Sequence, residues 1–321
     1  MQSKLYSVKI AGKKLQTKGK IRMNEIVCTP SGNVLNELLR LLELEKIEEN
    51  VFRGNSQDLG FGNIFGGQVL GQSLSAASQS VPEERGVHSM HGYFLRPGDP
   101  ARPIVYEVEC IRDGKSFTTR RVVAIQKGRA IFSMSASFQV NETGFEHQMD
   151  MPDIPGPDGF QSEQEIARYA MDQIPVQIRN QILCTKPIEI RPVNPINPFS
   201  PQKEKPARYV WFKAIDKMPD NLFIHKYMLA YASDFGLVTT SLYPHGHTFW
   251  DSNMQVASLD HAMWFHRDFR MDDWLLYAIE SPSASKARGL NHGHIFTRDG
   301  RLIASVSQEG LIRYRGENVG P

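Results

Sequence analysis

A chain of 321 residues is long enough for two domains or one large one and can bury a substantial core. Its 37 Lys and Arg against 35 Asp and Glu leave a formal charge of +2, too even a balance for a nucleic-acid surface. No run approaches the roughly twenty apolar residues of a membrane span, and no signal-peptide pattern is present, so stable membrane insertion is not expected.

The one charge asymmetry lies at the start. Met1 to Asn24 carries Lys4, Lys9, Lys13, Lys14, Lys18, Lys20 and Arg22 and no acid. It lacks the Arg- and Ser-rich character of a targeting arm, so residues 1–32 are predicted to be a disordered basic leader, or the product of a start upstream of Met23. Cys28, Cys110 and Cys184 are odd in number and far apart, which argues for a reducing compartment and against disulfides or a cysteine-based metal site.

Asn33 to Glu49 reads as an amphipathic helix, with Leu35, Leu38, Leu39, Leu42 and Leu44 as its stripe. "FGGQVLGQSLSAASQSV" follows as a glycine-led helix whose small residues would admit a sheet closely. "VHSMHGYFLRPGD" and "PIVYEVECIRDGKSFTTRRVVAIQKGRAIFSMSASFQV" alternate like strands, with DG and KG turns predicting hairpins. Residues 141–206 are proline-rich, with one helical patch (Ser162 to Leu183) and one strand-like run, "KPIEIRPV", and read as a connecting segment. From 207 to 315 the order of the first half returns: helix, strands, DG hairpin, strand.

The two ends also overlay without gaps. "GRAIFSMSASF" (Gly128 to Phe138) lies over "GRLIASVSQEG" (Gly300 to Gly310) at an offset of 172, and Phe94 to Arg96 over Phe265 to Arg267 at 171. The helices "FGGQVLGQ" and "YASDFGLV" fall at a similar spacing. Three matches in order predict a duplicated unit of about 110–130 residues. Each unit would be a helix buried in the concave face of a curled, mainly antiparallel sheet, an α+β arrangement.

Within the second helix Asp234 is the one ionisable side chain between Tyr227 and Thr240. A carboxylate there is costly to desolvate unless something pairs with it. The commoner fate of such an acid is a helix cap or a buried pair.

"FRGNSQDLGFGNIFGGQVLGQSL", "HGYFLRPGDP", "GFEHQMDMP", "YASDFGL", "LDHAMWFHRDF", "LLYAIESPSASKARGL" and "SVSQEGLIR" closely resemble the type II acyl-CoA thioesterases, over about Leu35 to Arg313. The resemblance implies a double hotdog, with an N-terminal hotdog over 33–140 and a C-terminal hotdog over 207–315. It implies hydrolysis of acyl-CoA to free fatty acid and CoA, without metal or other cofactor. It also implies a catalytic trio of Asp, Thr or Ser, and Gln, which falls here on Asp234, Ser258 and Gln308. Relatives associate as homo-oligomers, dimers or tetramers. The C-terminus "ENVGP" lacks the S-K-L signal of some eukaryotic relatives, so the cytoplasm is preferred.

Those residue types suit thioester hydrolysis. Asp234, expected near a helix start, would accept a proton from water, while Ser258 and Gln308 can each donate and accept and so hold that water. A covalent acyl-Asp is left open by residue type alone. The oxyanion would need amides at a helix N-terminus, for which Gly66, Gly67 and Gln68 are candidates. The same glycines would equally serve close packing. "GQSLS" lacks the second glycine of a nucleophile elbow and lies in a helix pattern, which excludes a serine hydrolase.

His245 with His247, and His292 with His294, are spaced to share a strand face. No further ligand set accompanies them, so no metal is expected. His91 reads as structural, and His261 and His266 as packing around Trp264. Two other functions remain at this stage: a hotdog hydratase using Asp234 with a downstream His, and an inactive acyl-CoA-binding module.

Overall fold

The computed structural model describes residues 8–10, 13–15 and 34–316. Of the basic leader, Val8–Ile10 (β1) and Lys13–Leu15 (β2) pair as an antiparallel ribbon. The remainder of the leader, and with it the expectation of disorder, lies outside the described residues.

Helix α1 (Val34–Leu42) buries Leu35, Leu38, Leu41 and Leu42. It is shorter than the helix predicted over residues 33–49, because Glu45–Glu48 forms β3, a strand exposed at every residue, against β4 (Val51–Gly54). The apolar stripe runs out at Leu44, and Asn50 turns the chain at φ 60°, a left-handed conformation that Asn tolerates better than most residues.

Helix α2 (Gly66–Ser78) is followed by β5 (Arg85–Phe94), β6 (Ile104–Asp113), β7 (Phe117–Gln126) and β8 (Arg129–Val140). The KG turn holds Lys127 at φ 51° and Gly128 at φ 69°, the paired positive angles of a two-residue hairpin. The connecting segment contains α3 (Glu163–Tyr169) and α4 (Val176–Leu183), two helices where one patch was predicted, and then β9 (Ile188–Pro192). Next come β10 (Ala207–Ala214), α5 (Leu222–Ala232), a 3-10 turn at Val238–His245, and β11 (Met254–Ser258). β12 (Asp260–Phe265), β13 (Leu275–Ser285), β14 (Arg288–Thr297) and β15 (Leu302–Tyr314) complete the order.

The strands from β3 onward form one sheet, ordered β3-β4-β6-β7-β8-β5-β12-β15-β14-β13-β10-β9, with β11 added on β15. Both halves repeat the same neighbours: β4-β6-β7-β8-β5 on one side, β10-β13-β14-β15-β12 on the other. β5 and β12 join them antiparallel, and Ala262 faces His91. Those two residues are also 171 apart, so a local two-fold passes through that pair. β9 pairs with β10, so the second half's sheet begins at Ile188, inside the segment read as a connector.

The sheet curls around α2 and α5, and one apolar cluster spans both halves, from Leu70, Leu74, Met90 and Phe132 to Met228, Leu229, Met263 and Ile295. The two helices cross antiparallel. A Cβ on Gly67 would lie 2.2 Å from the carbonyl oxygen of Tyr231, and one on Gly71 would lie 3.0 Å from that of Tyr227. The small residues of α2 therefore admit the partner helix, not the sheet as predicted. The connecting segment covers the outer face of the second half, where Met151, Ile154 and Phe160 pack on Trp211, and Trp211 Nε1 donates to the Pro155 carbonyl at 2.8 Å.

Cys110 is free and exposed, whereas Cys184 is disulfide-bonded. This corrects the reading of the cysteines, because sequence separation does not measure distance in the fold.

Candidate active site

The structure brings Asp234, Ser258 and Gln308 together. Ser233 caps the C-terminus of α5 and Asp234 follows it, so the carboxylate stands at a helix end and not near a helix start as predicted. Gln308 Nε2 donates to Asp234 Oδ1 at 2.8 Å, and Ser258 Oγ, at the end of β11, reaches the same oxygen at 3.4 Å. The Gly67 N–H also donates to this carboxylate.

The antiparallel packing explains the meeting. It lays the N-terminus of α2 against the C-terminus of α5, so Asp234 sits between two opposed helix dipoles. The end of α5 disfavours its charge and the start of α2 favours it. Gly66 lets this happen: a Cβ there would lie 2.6 Å from Asp234 Oδ2. Aromatic rings close the rest of the site. Phe65 stacks on Phe235 at 4.7 Å and meets Tyr231 edge-on at 5.2 Å, and Phe94 approaches the same point on Gly66 to 3.1 Å. Desolvation is the largest influence on the Asp234 carboxyl and raises its pKa, against the hydrogen bonds from Gln308, Ser258 and Gly67.

The three proposed oxyanion donors are used differently. Gly67 serves the carboxylate, and the Gln68 N–H donates to the Phe65 carbonyl at 3.1 Å. The Gln68 side chain points away, holding Gln57 N and the Asn55 carbonyl, each at 3.1 Å. Of the trio of amides, Gly66 alone is left for an oxyanion.

Overlaying "YASDFGLV" on "FGGQVLGQ" therefore matched two segments that touch in space but are not equivalent in the repeat. The residue after the C-cap of α2, Gln79, is Ser80, and it is this position that corresponds to Asp234.

The histidines also differ from expectation. His245 and His247 lie in and after a 3-10 turn rather than on a strand, and His247 Nδ1 bonds Asp251 Oδ2 at 2.7 Å. His292 and His294 share β14, as predicted, and bond Ser307 and Ser305. His91 stands edge-on to Trp264 at 5.0 Å. Among the described residues no group of three or more His, Cys, Asp or Glu is arranged to hold a metal. None of the described helices is long and apolar enough to cross a membrane. Ser73, in "GQSLS", is buried within α2.

A family profile described as acyl-CoA thioesterase matches residues 178–311, and one described as the acyl-CoA thioesterase N-terminal domain matches residues 55–139. The chain is 46% identical over 282 residues to acyl-CoA thioesterase 2 of Haemophilus influenzae, covering 88% of this chain and 99% of that protein. It is 39% identical over 296 residues to acyl-coenzyme A thioesterase 8 of Homo sapiens, covering 89% and 92%. The crystal structure of an acyl-CoA thioesterase II from Mycobacterium marinum is similar at a TM-score of 0.72 and 42% identity, covering 88% of this chain and 100% of that one. The chain belongs to the acyl-CoA thioesterase family.

It is thus a thioester hydrolase on a double hotdog, and the sequence missed one member of its polar centre. In this thioesterase His261 does not pack around Trp264. It is buried on the opposite face of β12, its Nδ1 3.0 Å from Gln308 Nε2 and its Nε2 2.9 Å from Ser233 Oγ. Burial depresses its pKa to about 3, so the ring is neutral. The signal was the alternation in "DHAMWF", which puts His261 on the face of Met263 and Phe265 and turns Trp264 away.

Proposed function

We propose that the enzyme hydrolyses acyl-CoA through a water held by Asp234, Ser258 and Gln308, with Asp234 as general base. The observation that carries this is the convergence of Gln308 Nε2, Ser258 Oγ and the Gly67 N–H on one partly buried carboxylate of raised pKa. The water oxygen bonds to the thioester carbon while its proton passes to Asp234. Collapse of the tetrahedral intermediate breaks the C–S bond and expels the CoA thiolate, a good leaving group that needs little acid assistance. Gly66, whose amide is among those no intrahelical carbonyl can take, is the candidate oxyanion donor. Gln308 Oε1 is buried without a hydrogen-bond partner among the described residues, as is Asn291 Oδ1 on the residue directly opposite.

The hydratase alternative needs Asp234 paired with a downstream histidine, whereas His247 pairs with Asp251 and the groups bonded to Asp234 are Gln308, Ser258 and Gly67. Thiol release from acyl-CoAs of graded chain length, followed with a thiol reagent, tests the reading, because hydration would leave the thioester intact. A non-hydrolysable acyl-CoA analogue should bind once per chain, at the junction of the halves, and two equivalent sites would count against it. A cytoplasmic homo-oligomer, a dimer or tetramer, remains our reading of the enzyme's setting. The edge strand β3 carries Glu45, Lys46 and Glu48 and is exposed throughout, which opposes edge pairing and turns association toward a sheet or helix face.

A further inference from the structure

We propose that His261 and Ser233 are positioning residues: they fix the Gln308 amide with its N–H, and not its oxygen, toward the Asp234 carboxylate. The proposal rests on the trio reading given above and assigns a role to two residues outside the trio.

The hydrogen bonds run in one direction. Ser233 Oγ donates to the Ala230 carbonyl at 2.9 Å, so toward His261, also at 2.9 Å, the hydroxyl acts as acceptor and Nε2 carries the ring hydrogen. Nδ1 is then a lone pair and accepts one amide hydrogen of Gln308 at 3.0 Å. The other amide hydrogen goes to Asp234 Oδ1 at 2.8 Å. An amide turned over would set its oxygen against both the Asp234 oxygen and the Nδ1 lone pair, two repulsions in a desolvated site. Oε1 is therefore held on the remaining side, unpartnered among the described residues although Gln308 is only 1% exposed. The amide is thereby locked as a donor to Asp234 Oδ1, which holds the carboxylate in place and leaves its second oxygen to take a proton from water.

The chain is anchored on the helix that carries the base. Ser233 immediately precedes Asp234, and its carbonyl accepts from the buried Tyr277 hydroxyl at 2.9 Å. Base and amide are both located from the last turn of α5, so the two groups keep their relative position if the helix shifts. A ring of depressed pKa does not become a donor at Nδ1 within the working range, which would reverse the chain.

Two variants test this alone and in a Gln308→Ala background. His261→Phe keeps a buried ring and removes both nitrogens, and Ser233→Ala removes a single oxygen. Each should lower kcat about tenfold or more while KM stays within about twofold, the scale of one buried hydrogen bond acting in the transition state. In Gln308→Ala, which should itself be strongly impaired, neither should lower kcat further, because both act through that side chain. Unchanged kcat in both single variants, or losses that multiply fully onto Gln308→Ala, overturns the proposal. If His261→Phe does not fold, Ser233→Ala decides by itself. A Gln308→Ala enzyme with normal kcat would instead refute the trio reading, and this proposal with it, so the two failures are told apart.

Discussion

At the repeat offset, the positions of His261 and Gln308 in the second half are held in the first by Met90 and Ala136, which face each other across β5 and β8. Ser258, opposite Gly310, is matched by Val87, opposite Phe138. All four first-half residues are buried and apolar. Asp234, after the cap of α5, is matched by Ser80 after the cap of α2. Ser80 Oγ instead accepts from Arg120 Nε at 3.0 Å, whose guanidinium is buried and paired with Asp113. What both halves keep is a buried tyrosine tied to its own helix: Tyr106 to Gln72 at 2.6 Å, Tyr277 to the Ser233 carbonyl at 2.9 Å. One fold thus carries two solutions to the same inner row. The first half retains packing and lends the backbone start of α2 and the rings of Phe65 and Phe94, while the second half carries every side chain of the trio. Antiparallel helix packing is what lets a backbone donor from one half complete a carboxylate from the other.

Removing the charge should give the largest effect. Asp234→Asn should lower kcat by about 10²–10⁴, the range for loss of a general base, and near-normal turnover on a good acyl-CoA would break the assignment. Stability should move the other way. The folded-state pKa is raised, so the folded protein binds the proton more tightly than the unfolded chain, and stability falls as pH rises from the unfolded value of about 3.9 through the folded one. At neutral pH the asparagine variant should melt at or above the parent, and the difference should shrink toward about pH 4. The acid limb of kcat/KM should lie above the ordinary aspartate range for the same reason, and a limb at or below that range would show that desolvation does not control the base.

The next effect comes from importing the first half's answer. His261→Met with Gln308→Ala installs the pair that β5 and β8 already pack, so the doubly changed enzyme should fold and melt within a few degrees of the parent. It removes the two groups that bond each other, and Asp234 keeps the Ser258 hydroxyl and the Gly67 N–H as donors. Turnover should drop about 10²-fold or more, since the water loses its amide. A double variant that turns over normally would mean the two halves differ for reasons unrelated to catalysis.

Much of this comparison was legible in the sequence, and its failures have local causes. Strand alternation and the DG and KG turns located β6, β7 and β8, because hairpin chemistry is written in adjacent residues. The offset of 172 registered Gln308 on Ala136 correctly, because β8 and β15 carry no insertion between them. The helices misled: 6 residues separate α2 from β5 but 27 separate α5 from β12, so gapless spacing paired the start of one helix with the end of the other. β9 looked like part of a linker because its partner, β10, lies beyond a proline-rich loop, and ladder pairing is not a local property. His261 was missed for the same reason, since its value depends on Ser233 and Gln308, 28 and 47 residues away in sequence.

The smallest effect should come from Ser258, whose 3.4 Å contact to Asp234 is longer than the 2.8 Å bond from Gln308. The first half supplies the control. Val87 shows that a β-branched side chain fits the equivalent position, where it is buried against the same arrangement of strands. Threonine and valine have nearly the same shape and differ in a hydroxyl against a methyl. Ser258→Thr should therefore keep kcat within about twofold, and Ser258→Val should lose about tenfold, one modest hydrogen bond. The two variants share any steric disturbance, so their difference isolates the hydroxyl. Equal kcat for the pair, measured on the same acyl-CoA, would leave Ser258 as a strand residue with no part in holding the water. Asp234, Gln308 and the start of α2 would then have to do so alone.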